Sequence, residues 1–308
     1  MSDFIIIVDS SCDLTEELRA HYGVAEYIPG ILTYPDGRSE NADLDWKNIS
    51  YEDFYGSLKD KNTFYKTALP SPVYVEEVFE KYVSKGKDVL YIALSSGLSG
   101  TASQASIVAK KLSEKYDAKA YVVDSLKYSG GICMLIDKAN KMRAEGFSAK
   151  ETAQYLDEYK YRIHQIGPMD DLFFLKKMGR VSGMAAFMGT LISLKPLADF
   201  NRQGMSFVIG KVKGYSKALR ISIEYIKALS EDIENQDIFI SNSMRDEQAE
   251  SIKKVIEDEL HPRSIEMLHV GQSCGASIGP GLVAIFFAGA PLTEDLKKES
   301  ELIASLLK

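Results

Sequence analysis

Short, uninterrupted apolar runs that close on small polar residues recur through the first half of the chain. Phe4 to Val8 closes on Asp9-Ser10-Ser11-Cys12-Asp13, Val89 to Leu94 on Ser95-Ser96-Gly97-Leu98-Ser99-Gly100-Thr101, and Lys119 to Val123 on Asp124-Ser125. Such runs fit strands buried on both faces, as in a parallel sheet covered by helices. A helical pattern follows each. Asp13 and Glu16 have capping-box spacing for a helix closing at Gly23, and the pattern after the central loop continues to Tyr116. Two more helices are predicted at Ile132 to Glu145 and at Ser148 to Arg162, the latter opened by a Ser148–Glu151 capping box.

The intervening stretch from Ile28 to Tyr34 is apolar and ends in the turn Pro35-Asp36-Gly37, and the acidic segment through Trp46 reads as a surface excursion. A helix is expected from Tyr51 to Lys59. Ser71 and Pro72 open another, ended by Gly86, which leaves Thr67 in the loop before it. Taken together, residues 1–165 read as a doubly wound α/β domain. Its strand ends share one edge, where open parallel sheets bind ligands.

The pattern changes near Gly167-Pro168. A short strand is expected at Asp171 to Leu175, a glycine-rich basic loop at Lys176 to Gly183 and an apolar helix at Met184 to Leu191. Beyond Leu194-Lys195-Pro196-Leu197, a turn at Arg202-Gln203-Gly204 precedes an alternating stretch from Phe207 to Val212 and a helix from Ser216 to Leu229. A strand at Asp237 to Ser241, a helix at Asp246 to Leu260 and a strand at Ile265 to Val270 follow. The loop Gly271 to Gly281, the strand Leu282 to Ala288 and the helix Thr293 to Leu307 complete the chain. Residues 166–308 therefore read as an α+β domain with a mixed sheet.

Composition narrows the function classes. The 308 residues are 45% hydrophobic and 26% charged, with a net charge of −7, which disfavours a nucleic-acid partner. Three widely spaced cysteines, Cys12, Cys133 and Cys274, suggest neither a disulfide framework nor a zinc site. Met-Ser-Asp before a short apolar run lacks the form of a signal peptide, and no run reaches the roughly 18 apolar residues of a membrane span. These features predict a cytoplasmic protein without an integral membrane segment.

The central loop, Ser95 to Thr101, carries the most chemistry. A helix start leaves N–H groups unpaired and slightly positive, so hydroxyls and glycines there suit one compact anion. No lysine stands in the loop, which argues against a polyphosphate cradle and for a carboxylate or single phosphate. The same residues serve equally well as a capped turn. Asp9 and Asp124 fit caps better than metal ligands, and the four histidines are scattered with no metal-ligating partner at helical spacing. Arg180 in Gly179-Arg180-Val181-Ser182-Gly183 can grip a phosphate or pair with a carboxylate of the other domain.

The motifs Asp9-Ser10-Ser11, Lys66-Thr67 with Pro70-Ser71-Pro72, Ser95 to Thr101, Asp124-Ser125, Gly179-Arg180-Val181-Ser182, Leu194-Lys195-Pro196, Lys211-Val212-Lys213-Gly214 and Gly279-Pro280-Gly281 occur in one order along nearly the whole chain. Together they resemble the DegV family of fatty-acid-binding proteins, some of which serve as the lipid-carrying subunit of bacterial fatty-acid kinase. The resemblance implies a long-chain fatty acid as ligand in place of a cofactor, with its carboxyl presented to a kinase partner. Carried over residue by residue, the carboxyl ligands are Thr67 and Ser96 or Ser95, with Ser99 and Ser277 close by. Met184, Phe187, Met188, Leu191 and Ile192 are expected to line the acyl tunnel, and Lys213 and Arg180 to contact the partner.

The chain departs from the family pattern at three places. Ala68 and Leu69 stand where Ser-Gln is common, Ser277 where a histidine is frequent, and Lys213 where arginine is usual. A serine hydroxyl reaches less far than imidazole, and lysine keeps the charge of arginine but loses its bidentate fork. Two other classes remain open at this point: a serine-dependent hydrolase of acyl esters or acyl phosphates, and a nucleotide-binding regulatory module.

Overall fold

The computed structural model describes residues 4–182 and 194–308. Four parallel strands form the N-terminal sheet in the order β2 (Val24–Ile28), β1 (Ile5–Asp9), β6 (Val89–Ala93) and β7 (Ala120–Asp124). All five residues of β6 are buried, as the unbroken apolar run requires. Helices α1 (Glu16–His21), α3 (Pro72–Val83), α4 (Thr101–Ser113), α5 (Gly130–Ala144) and α6 (Ala149–Tyr159) follow or flank these strands. The capping box at Ser148 and Glu151 is formed. At α1 the cap is Thr15 instead, because Asp13 adopts a left-handed backbone (φ 59°) and is buried.

The expected surface excursion is a structured insert. A small antiparallel sheet, ordered β4 (Ser39–Asn41), β3 (Ile31–Thr33) and β5 (Lys66–Ala68), packs with α2 (Tyr51–Ser57) around Phe54, Tyr55 and Tyr65. Thr67 thus lies on a strand opposite Leu32, not in a loop. Neither β4 nor β5 has an apolar run of its own; pairing with β3 makes them strands.

The second half contains a mixed sheet ordered β13 (Ser264–His269), β12 (Asp237–Ser243), β14 (Leu282–Ala288) and β8 (Ile163–Ile166), in which only β12 and β13 are parallel. The strand that straddles residue 165 belongs wholly to this sheet. Beside it, β10 (Leu194–Phe200) and β11 (Ser206–Lys213) form a hairpin around the expected turn, and β9 (Val181–Ser182) joins β11. Helices α8 (Tyr215–Leu229), α9 (Asp246–Leu260) and α11 (Lys297–Leu306) cover these sheets over a core that includes Ile240, Ile285 and Phe287.

In the first half, β2 lies at Val24–Ile28, ahead of the apolar stretch expected from Ile28 to Tyr34, and in the second half two further segments differ from expectation. Asp171 to Leu175 gives way to helix α7 (Phe173–Met178), ended by Gly179 in the left-handed conformation at φ 68°. A short apolar run is compatible with either period, and burial of Phe174 and Leu175 decides it. The loop after Gly271 contains a short helix, α10 (Gln272–Ile278). It packs against α7 and the small sheet.

Candidate functional site

The polar ends of the parallel strands are stitched to one another. Asp9 closes β1, and its carboxylate accepts from Ser11 N at 2.9 Å, from Leu94 N at 2.7 Å and from the Ser11 hydroxyl. Asp124 closes β7 and accepts from Ser96 N at 2.9 Å and Leu126 N at 3.2 Å. These side chains fix loops rather than cap helices. Burial pushes the Asp9 acid above the ordinary aspartate range, while the hydrogen bonds from Ser11, Leu94 and Tyr91 oppose that rise.

The serines of the central loop divide into two roles. Ser95 is fully buried, and its hydroxyl donates to Gly204 O at 2.6 Å and accepts from Gly97 N at 3.1 Å, tying the loop to the β10–β11 turn. The approach is so close that a Cβ on Gly97 would collide with the backbone of Gln203 and Gly204. Ser96 is exposed, and neither Ser95 nor Ser96 is on the wall of the cavity beside this loop. Ser99 is on that wall, sharing a 2.9 Å hydrogen bond with Thr101 where α4 begins. The loop is therefore both a capped turn and a lining, through different serines.

That cavity, of about 180 Å³, opens between the strand-end loops and the second half of the chain. One water needs roughly 10–15 Å³ on the same scale, so the space suits an organic ligand. Its lining is rich in hydroxyls: Ser10 and Ser11 after β1, Thr67 on β5, Ser99 and Thr101 at α4, and Ser273 and Ser277 on α10. Ser10 and Ser273 share a 2.7 Å hydrogen bond across 263 positions of sequence, and Ser10 also accepts from Gly30 N at 3.0 Å. Apolar side chains complete the surface, among them Ile31, Leu69, Leu94, Leu98, Met169, Leu175, Phe200 and Ile278. Ala68 and Leu69, which replace polar residues of the family pattern, are both on this surface.

The structure thus brings Thr67, Ser99, Ser277 and Arg180 to one cavity. Arg180, expected at a partner surface, lines the interior, with its guanidinium donating to Met178 O. The wall is therefore not free of charge. Lys213, at the end of β11, is exposed and off the cavity. Met184, Phe187, Met188, Leu191 and Ile192 lie outside the described residues.

Sequence reasoning missed Ser10, Ser273, Tyr128, Gln165 and Ser206 as lining residues. Ser10 carried a signal in the strand-end cluster Asp9-Ser10-Ser11, and Gln165 as a polar residue in the buried strand Ile163–Ile166. The others are assembled by contacts no spacing reveals. No histidine is among the described residues of the wall, and those residues contain no cluster of metal-ligating side chains. Among the described residues, no helix is long and apolar enough to cross a membrane.

Comparisons with known proteins agree with this architecture. The DegV domain-containing protein CPE0026 of Clostridium perfringens is 30% identical over 94% of this chain and 98% of its own length. A DegV family protein from Thermus thermophilus, described as fatty-acid binding, superposes with a TM-score of 0.83 at 23% identity, covering 94% of this chain and all (100%) of that one. A DegV lipid-binding protein from Thermotoga maritima gives 0.81 at 24% identity, over 94% and 99% of the two chains. The family model described as an uncharacterised protein of the DegV family matches residues 3–290, and with that extent of agreement the chain belongs to the DegV family.

Proposed function

We propose that this protein binds a long-chain fatty acid, with the carboxyl group held by hydroxyls of the cavity lining and the acyl chain against its apolar side chains, and presents that carboxyl to a fatty-acid kinase. The observation that carries the reading is a cavity lined by both hydroxyl and hydrocarbon groups. The DegV proteins from Thermus thermophilus and Thermotoga maritima, described as binding fatty acid and lipid, support it.

Burying an acyl chain contributes about 0.8 kcal/mol per methylene, so roughly a dozen methylenes supply on the order of 10 kcal/mol before the costs of association. The tail supplies affinity, and the head group needs only enough donors to avoid a stranded carboxylate. Thr67, Ser99 and Ser277 provide hydroxyls, the first turn of α4 provides slightly positive amides, and Arg180 provides the charge. Hydroxyl donors hold a carboxylate without capturing both of its oxygens, leaving one to attack a phosphoryl group delivered by the partner. In this reading Lys213, exposed at the end of β11, contacts that partner.

Organic extraction of purified protein followed by mass spectrometry, with palmitate and oleate titrations of the stripped protein, tests the binding. One acyl chain per protein and saturable uptake are expected; empty protein that takes up neither acid overturns the reading. ATP-dependent acyl-phosphate formation with a fatty-acid kinase, present only when this protein is added, tests the presentation step. Uptake without any acyl phosphate would retain the binding and remove the kinase.

A further inference from the structure

Gln165 is a polar side chain at a place where a cavity for plain hydrocarbon needs none. It lies on β8, is 2% exposed, lines the cavity, and its side-chain oxygen has no hydrogen-bond partner. Its backbone is held in place, with Gln165 N donating to Asp199 Oδ1 at 2.8 Å. Leaving a buried amide oxygen unpaired is unfavourable, whereas leucine or methionine would fill similar space at no such cost.

Two more unengaged groups share this side of the cavity. The Tyr128 ring packs 5.6 Å from Phe200 and 5.6 Å from Phe286, the residue opposite Gln165 on β14. Ser206 faces Phe200 across the β10–β11 hairpin. Both line the cavity, and neither hydroxyl has a hydrogen bond to another described residue. By contrast, the hydroxyls of Ser10, Ser99 and Ser273, also on the cavity lining, already bond to one another or to neighbours.

We infer that the preferred ligand is a fatty acid carrying a hydroxyl group on its chain, recognised by the Gln165 amide. This deepens the fatty-acid reading and rests on it. A chain hydroxyl donates to Gln165 Oε1 and accepts from the Tyr128 or Ser206 hydroxyl, satisfying groups that a run of methylenes would leave facing hydrocarbon. In a purely apolar tunnel the sign is reversed. A hydroxyl added to the chain must then leave water without a partner, and binding weakens.

Stripped protein is titrated with stearic acid and with a series of octadecanoic acids hydroxylated at successive mid-chain carbons. At least one isomer is expected to bind about tenfold or more tightly than stearic acid. Gln165→Leu should erase that preference while stearic acid still binds. Should Gln165→Leu fail to fold, Gln165→Met and Tyr128→Phe, checked by thermal melting, carry the same expectation of a reduced preference. Stearic acid binding as well as every hydroxylated isomer, or a preference untouched by the substitutions, overturns the inference and leaves fatty-acid binding intact. If no acid binds at all, both fall together.

Discussion

At the edge of the N-terminal sheet and at the junction of the two C-terminal sheets, a buried carboxylate ties neighbouring strands, and the two ties face different surroundings. Asp9 holds the loops after β1 and β6 and stands on the cavity wall. Asp199 accepts from Gln165 N at 2.8 Å, Phe200 N at 2.7 Å, Tyr225 OH at 3.0 Å and His164 Nδ1 at 2.9 Å, and it is fully enclosed behind that wall. His164 in turn meets Ala290 O at 2.7 Å through its other ring nitrogen. The same device therefore serves two ends: one positions loops that line the cavity, and the other fixes the β8–β10 contact from which Gln165 and Phe200 project.

Asp13 shows what happens without the donors. It is as buried as its neighbour Asp9, yet neither carboxyl oxygen receives a hydrogen bond of sound geometry, although the Ser129 hydroxyl and Gly271 N–H lie beside it and temper the effect. Burial pushes its pKa from 3.8 up to about 7. Where burial is not offset by well-formed hydrogen bonds, as at Asp13, the neutral form is favoured.

Breaking the Asp199 tie should have the largest effect. Asp199→Ala strands four donors, and about 3–5 kcal/mol of stability should be lost in chemical denaturation. The part of the population that stays folded should keep its fatty-acid affinity; a selective loss of binding with an unchanged melting midpoint would contradict the division drawn between Asp9 and Asp199.

The Asp13 contrast is sharpened by pH. The folded state holds the proton more tightly than the unfolded state, so folding takes up a proton between the ordinary aspartate value of 3.8 and about 7. Stability from this group is full below that window, falls as pH rises through it, and levels off above it. Asp13→Asn should flatten this decline and raise the melting midpoint at pH 8 relative to the parent, by an amount that vanishes near pH 4. An identical pH profile in the variant would show that Asp13 ionises freely.

The smallest effect is expected among the lining hydroxyls. Thr67→Val keeps the shape of an exposed side chain and removes one donor, so affinity for palmitate should fall by about fivefold, near 1 kcal/mol, with little change in melting midpoint. Equal affinity in isothermal titration would take Thr67 out of the head-group site.

Much of the scaffold was legible because its signals are local. The helix at Asp246–Leu260 and the strand at Leu282–Ala288 agree with the sequence reading at both ends, the first through amphipathic spacing and the second through an unbroken apolar run. Phe173–Met178 was misread because a short apolar stretch fits two periods, β5 was missed because its partner β3 is distant in sequence, and β4, joined to β3 by a tight turn, because its residues are polar.

The site divides along the same line. The amino-acid order by itself determined strands β1, β6 and β7 of the parallel sheet, the strand ends that carry its polar loops, and the family motifs that single out Thr67 and Ser96 or Ser95, with Ser99 and Ser277 beside them. Only the tertiary structure decided that Ser95 serves the β10–β11 turn, that Arg180 points inward, and that Gln165 is left unpaired beside Tyr128. Capping, periodicity and turn chemistry act over a few residues and leave a trace in spacing. Whether a buried polar group finds a partner depends on segments brought together from distant parts of the chain, and spacing carries no record of that meeting.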